Sequence, residues 1–152
     1  MGEGTVSDFS AFFALAEPRL RRAFVSAYGG ERGREATAEA LAWAWEHWSE
    51  VEAMDNPMGY LYRVGRSRTR GRRYRVVFAR ADGGDQWFEP RLGDALAALT
   101  ERQRVTVGLV HGYGWTLREV ADVCGLRVTT VQNHLERGTA RLRALLGVSE
   151  DV

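Results

Sequence analysis

The chain has 152 residues, 45% hydrophobic and 27% charged, with a formal net charge of +1. That length admits one medium domain or two small ones with a packed core, and no run approaches the ~20 apolar residues of a membrane span. The opening MGEGTVSDFS lacks the basic-then-apolar layout of a signal peptide, so the expected location is the cytoplasm.

Phe9, Phe12, Phe13, Leu20 and Phe24 predict a first pair of helices, interrupted or kinked near Pro18, then a loop at Gly29, Gly30 and Gly33. A second long helix follows in REATAEALAWAWEHW. There Ala38, Leu41, Trp45 and Trp48 recur at helical spacing, with Glu35, Glu39 and Glu46 elsewhere on the surface. Trp43 lies off that stripe, as a partly buried aromatic or an exposed contact residue. Asn56 to Gly59 reads as a loop leading into a helix that carries Tyr60, Leu61, Tyr62 and Val64.

Charge is divided unevenly. Residues 1–62 hold five Arg against ten acidic residues, residues 63–80 hold eight Arg and no acid, and residues 81–152 hold eight Arg against ten acids. All 21 Lys-or-Arg positions are Arg, so their placement carries information where their identity does not. The segment RVGRSRTRGRRYR can neutralise several phosphates, or it is simply a solvated charged end. Engagement of about five phosphates would give a slope of log affinity against log salt of roughly −4.

Residues 76–91 lose periodicity around Gly83, Gly84 and Pro90 and read as a linker. Beyond it, Leu92, Leu96 and Leu99 make a short helix. Thr100 with Gln103 forms a capping box, and Val105, Val107, Leu109 and Val110 carry the next helix towards HGYGW. Trp115 to Arg143 is the most informative stretch. Thr116 with Glu119 caps a helix whose Leu117, Val120, Ala121 and Val123 share a face, and Gly125 permits a tight turn. Leu126, Val128, Val131, Leu135, Leu142 and Leu145 then point inward, leaving Thr130, Gln132, Asn133, Glu136, Arg137 and Arg141 outside. This is the spacing of a helix-turn-helix, and Gln, Asn and Arg pair bidentately with base edges. The plainer reading is a two-helix corner whose polar face meets water.

No strand-like alternation persists and no internal repeat occurs. The expected fold is all-α: a helical domain over residues 1–75, a flexible linker over 76–91, a helix-turn-helix domain over 92–147 and a tail over 148–152. The single Cys124 excludes an internal disulfide and reads as core. His47, His111 and His134 are scattered, and no His pair has metal-ligand spacing. Neither a phosphate-cradling glycine motif nor a nucleophile setting is present. We expect no catalysis, no metal, no cofactor and no small-molecule substrate.

The ordered combination of these motifs resembles the extracytoplasmic-function (ECF), group IV class of bacterial RNA polymerase sigma factors across nearly the whole chain. The specific part is the second module, region 4 of that family. It carries Leu92, Leu96, Leu99, Arg102, Gln103, Arg104, Glu119, Val120, Ala121, Gly125, Thr130, Val131, Arg137 and Leu142. The match to region 2 is looser. Glu35, Glu39, Leu41 and Trp45 stand on the helix that in the family grips the polymerase, with Glu for Asp and Leu for Phe as departures. In the helix expected to meet the minus-10 element, Ser67 replaces a common Asn and Arg70 a frequent acid.

The resemblance implies binding to core RNA polymerase through Glu35, Glu39, Leu41 and Trp45. It implies minus-10 contacts by Asn56, Arg66, Ser67, Arg70 and Arg73, with Arg72 and Arg75 also on the backbone and Tyr60 and Tyr62 as stacking faces or core. At the minus-35 element Thr129, Thr130, Gln132, Asn133 and Arg137 would face the major groove, while Arg127 and Arg141 touch phosphate. Arg127 stands where the family has a small N-cap residue, which moves the start of the recognition helix to Thr129. Sixteen linker residues span at most about 50 Å, close to the distance between two such elements. The resemblance also implies promoter DNA and an anti-sigma factor as partners. The competing reading is a stand-alone helix-turn-helix regulator that acts without polymerase.

Overall fold

The computed structural model describes residues 3–69 and 91–147, with side chains from residue 6 onward. Every regular element among them is helical: α1 (Glu3–Tyr28), α2 (Gly30–Glu46), α3 (Trp48–Val51), α4 (Pro57–Thr69), α5 (Leu92–Ala98), α6 (Glu101–Val107), α7 (Leu117–Cys124) and α8 (Val128–Leu146). The expected linker, apart from Arg91, and the tail lie outside the described residues, as do Arg70 and Arg73.

The first module departs from expectation at its start. No helix pair forms, because α1 runs through Pro18 without interruption. A proline inside a helix forfeits one backbone hydrogen bond, and burial on the facing helix compensates: Ala16, Leu20, Ala23, Phe24 and Ala27 are all at most 1% exposed. Burying a Leu or Phe side chain contributes about 1.5–3 kcal/mol, enough to hold the helix past the missing bond. The expected glycine loop shrinks to Gly29, whose φ of 90° lets α1 reverse into α2 in one residue. Gly33 lies within α2, where the position of a Cβ would be 2.5 Å from the Val25 Cα. The two backbones are in contact there.

That close approach also revises the inward stripe of α2. The buried positions are Gly33, Ala36, Thr37, Ala40, Leu41 and Ala44, the small residues that tight packing admits, whereas Ala38 and Trp45 are exposed. Trp48 is buried, but on α3, after the chain breaks helical geometry at His47. Pro57 opens α4 at the position where a missing N–H costs nothing. Asn56 caps it, its Oδ1 accepting from the Gly59 N–H at 3.1 Å.

The second module follows its sequence signals closely. Both capping boxes form, Thr100 with Gln103 on α6 and Thr116 with Glu119 on α7. Beyond α6 the helix widens into a π-helical turn over Gly108–Gly112. Gly125 is left-handed, φ 67°, and ends α7 before α8. Helix α8 begins at Val128 with Arg127 as its backbone N-cap, not at Thr129. Its inward face is shorter than expected: Val131 is fully buried, Leu135 and Leu142 are half-buried, and Leu145 is 41% exposed.

The two modules share one core. Leu20, Phe24 and Leu61 of the first and Val105, Leu109, Val120 and Val131 of the second belong to a single buried cluster, with α1 against α6 and the π-turn, and α4 against α7.

Candidate nucleic-acid interface

Helix α8 is held from beneath. Val131 fills the core, and Gly138 brings the helix so close to α6 that a Cβ would sit 2.9 Å from the Val107 side chain and 3.1 Å from Gln103. The opposite face is open. Thr129, Gln132, Asn133, Glu136, Arg137 and Arg141 are exposed, as is Arg127 at the helix start. The spacing of Thr129, Gln132, Asn133, Glu136 and Arg137 places these residues on one stripe. Thr130 lies off it and is half-buried. No acid stands in the first turn of α8, so its positive helix end and Arg127 present an unopposed site for phosphate. His134 faces sideways, with Nε2 buried and unbonded. Its burial, then the charges of Arg102 and Arg137, lower its pKa, leaving a neutral ring.

This stripe meets the geometric demand of a recognition helix: polar, donor-rich side chains at its N-terminal half, on a rigid helix-turn-helix frame. Residues 90–142 match the family Sigma-70, region 4. The second module is thus similar to sigma-70 region 4. A 62-residue stretch is 36% identical to the RNA polymerase sigma factor FliA of Pseudomonas aeruginosa, covering 41% of this chain and 25% of that protein. The chain thus spans about a quarter of the length of that curated relative. The sigma factor RpoE of Bartonella quintana, solved in complex with the anti-sigma factor NepR, has the same fold over 94% of this chain and 99% of its own (TM-score 0.63, 24% identity). The likeness in fold extends over both modules, not the second module alone.

In the first module two of the residues expected to contact DNA, Asn56 and Arg66, bond to the second module, and Asn56 is exposed as it does so. Asn56 Nδ2 donates to the Asp122 carbonyl of α7 at 2.9 Å while its Oδ1 caps α4, so both ends of the amide are engaged. Arg66 clasps Glu101 of α6 with two bonds, 3.0 and 3.2 Å. The Tyr28 hydroxyl donates to the same carboxylate. Ser67 remains exposed. The tyrosines divide: Tyr62 is 4% exposed and Tyr60 39% exposed, the latter against Trp43, which stacks on His47.

Burial pushes the Glu101 carboxyl up, but the donors Arg66 and Tyr28 and the charge of Arg104 outweigh it, and the pKa falls below its ordinary value. A carboxyl with a lowered native pKa binds fewer protons folded than unfolded. Its stabilisation is therefore present above the unfolded value of about 4.3 and is lost as the pH falls through the native one. Thermal melts at pH 7 and pH 3 test this: the gap in Tm between the wild-type chain and Glu101→Gln should close in acid. A gap unchanged between the two pH values would remove Glu101 as its source. Cys124 is inert by the same physics, since burial foremost pushes its thiol up to about 12.

Of the residues expected to meet polymerase, Leu41 and Trp45 come together and the two glutamates stand apart. Between α1 and α2 runs an apolar groove of about 490 Å³ lined by Phe9, Phe13, Leu41 and Trp45, with Arg34 and Glu17 at its margin. Trp45 is 48% exposed and Phe13 42%, and Phe9 packs on Trp45 at 5.0 Å between ring centroids. Glu35 is exposed and pairs with Arg32 at 3.0 Å. Glu39 is half-buried, and neither glutamate lines the groove. Phe9 and Phe13, expected only as apolar residues of the first helices, also line the groove. The signal was available, because they sit four apart, a full turn before the small buried stripe of α1 begins at Ala16.

Proposed function

We propose that the chain is an ECF-type sigma factor that binds core RNA polymerase and directs transcription initiation at promoters with minus-10 and minus-35 elements. The observation that carries this reading is the region 4-like second module with its recognition stripe open, joined to a first module that shares a sigma-factor fold over almost the whole chain. In this reading Thr129, Thr130, Gln132, Asn133 and Arg137 read the minus-35 element, and Arg127 and Arg141 hold its phosphates. Asn56, Arg66, Ser67, Arg70 and Arg73 serve the minus-10 element. Polymerase docks along α2, with Leu41 and Trp45 in the groove and Glu35 and Glu39 beside it. An anti-sigma factor, the kind of partner named for the Bartonella protein, fits as the regulator. The chain acts in the cytoplasm and catalyses no reaction by itself.

Two measurements test the proposal. Purified core polymerase should retain the wild-type chain and lose the Glu35→Arg plus Glu39→Arg variant, and the retained complex should initiate at selected promoters. Failure of the wild-type chain to bind would favour the stand-alone regulator. In the recognition helix, Gln132→Ala should cost about 1–3 kcal/mol and relax preference at one base pair. Arg141→Ala should instead weaken binding across all sequences and reduce the salt slope by about 1. A competition assay over a randomised minus-35 duplex separates the two, and an Arg141→Ala effect confined to one base would reverse the assignment.

A further inference from the structure

Helix α8 carries a second row of polar residues beside its recognition stripe. Arg127, Thr130, His134, Arg137 and Arg141 recur at intervals of three and four, so they lie one above another along one flank, with Arg137 bordering both rows. The recognition stripe contains Glu136, which accepts from Gln132 at 3.4 Å; the second row contains no acid. Arg127, Arg137 and Arg141 are exposed, and Thr130 and His134 are half-buried. One turn beyond His134, Gly138 brings α6 against α8. Helix α6 adds Arg102 to the same flank, its charge acting on the His134 ring, exposed and without an ion pair among the described residues. His134 is the one member of the row whose ordinary charge change falls between pH 5 and 8.

We propose that duplex binding by α8 is coupled to the uptake of one proton by His134, because this flank lies against the phosphates of one strand when the recognition stripe faces the bases. The proposal rests on the reading of α8 as a duplex-binding helix and on nothing that concerns polymerase.

The surroundings of the ring set the direction. In the free chain burial comes first, and the charges of Arg102 and Arg137 second, in lowering the His134 pKa. Nε2 is sealed from water without a hydrogen bond, which also disfavours a charged ring. The other charged groups of α6 are engaged elsewhere, Glu101 by Arg66 and Arg104 by backbone carbonyls. Asp94 on α5 and Arg118, Glu119 and Asp122 on α7, the other helices packed on α8, exert no charge on the ring. A bound strand reverses the balance. Phosphates pair with the guanidinium groups of Arg102 and Arg137, cancelling their repulsion, and bring negative charge beside the ring. The protonation that the free chain resists becomes favourable in the complex. By linkage, binding then strengthens as the pH falls, by at most about tenfold per pH unit for a single proton.

The test uses the full chain and a short mixed-sequence duplex, followed by fluorescence anisotropy at pH 7.5 and pH 5.5 at constant ionic strength. Glu101, with its lowered pKa, stays ionised at both. The wild-type chain should bind about 3- to 10-fold more tightly at pH 5.5. His134→Gln should flatten that dependence, and His111→Gln should keep it. Arg102→Gln should shrink it, because removing a like charge lets the ring protonate before DNA arrives. A second readout needs no variant: the titration midpoint of the His134 ring, followed by NMR through its Cε1 proton, should rise when the duplex is added.

A wild-type affinity that is flat between the two pH values, a His134→Gln chain that keeps the full gain, or a ring midpoint unmoved by the duplex would overturn the coupling. Arg141→Ala separates this from the reading beneath it. If that variant binds more weakly at pH 7.5 while the coupling fails, α8 still holds DNA. If it has no effect at either pH, the duplex-binding reading of α8 fails and takes the coupling with it.

Discussion

If the groove docks on core RNA polymerase as proposed, Trp45→Glu should weaken that binding by roughly 30- to 1,000-fold, the ~2–4 kcal/mol of an aromatic hot spot, while leaving the melting temperature nearly unchanged. The separation of the two effects follows from where the ring sits. Trp45 is 48% exposed and faces a groove already floored by Leu41 and walled by Phe9 and Phe13, so the folded chain loses little when it goes. Trp48, three residues on, is 8% exposed and packs edge-on against Phe9 at 5.4 Å; the same substitution there would unfold the module. Titration of polymerase with each variant, beside thermal melts, checks the pair. Wild-type affinity in Trp45→Glu would remove the groove from the docking surface.

Gly33→Val should be severely damaging to stability, about 3 kcal/mol or more and a fall in Tm of roughly 10 °C. A side chain at Gly33 meets the Val25 backbone, at 2.5 Å from Cα and 2.6 Å from N. Backbone cannot rotate aside as a side chain does, so α1 and α2 must separate along their length and unseat Ala23, Phe24 and Ala40. Gly112→Ala is the control, since a Cβ at Gly112 finds nothing within 4 Å. Equal losses at the two positions, by denaturant titration, would mean that backbone freedom rather than contact sets the cost.

The second module was legible because its signals are local. A capping box needs only residues three apart, and a left-handed turn needs only Gly125, so both Thr–x–x–Glu/Gln pairs and the turn appear where the sequence puts them. The first module was harder, because the facts that shape it are contacts between distant residues. Nothing near Pro18 says that a helix will be carried through it; the burial of Leu20 and Phe24 does. The alanines of α2 were overshadowed by its tryptophans, yet Gly33 and Ala40 set the helix separation and thereby turn Trp45 outward. Least legible were the contacts between the two modules. Asn56 and Arg66 carry the right chemistry for nucleic acid, and no periodicity reveals that Asp122 and Glu101 claim them first.

The contacts between the two modules are also assembled late. Arg66 and Glu101 are 35 residues apart, and Tyr28 and Glu101 are 73 apart, so during synthesis the whole of α4 is made before its partner on α6. At about 5–20 residues per second, the ribosome needs roughly 2–6 s to extend the chain from the end of α4 to Glu101. For that interval Arg66 has no Glu101 to meet. The ion pair that ties the two modules together is thus added to a first module already made.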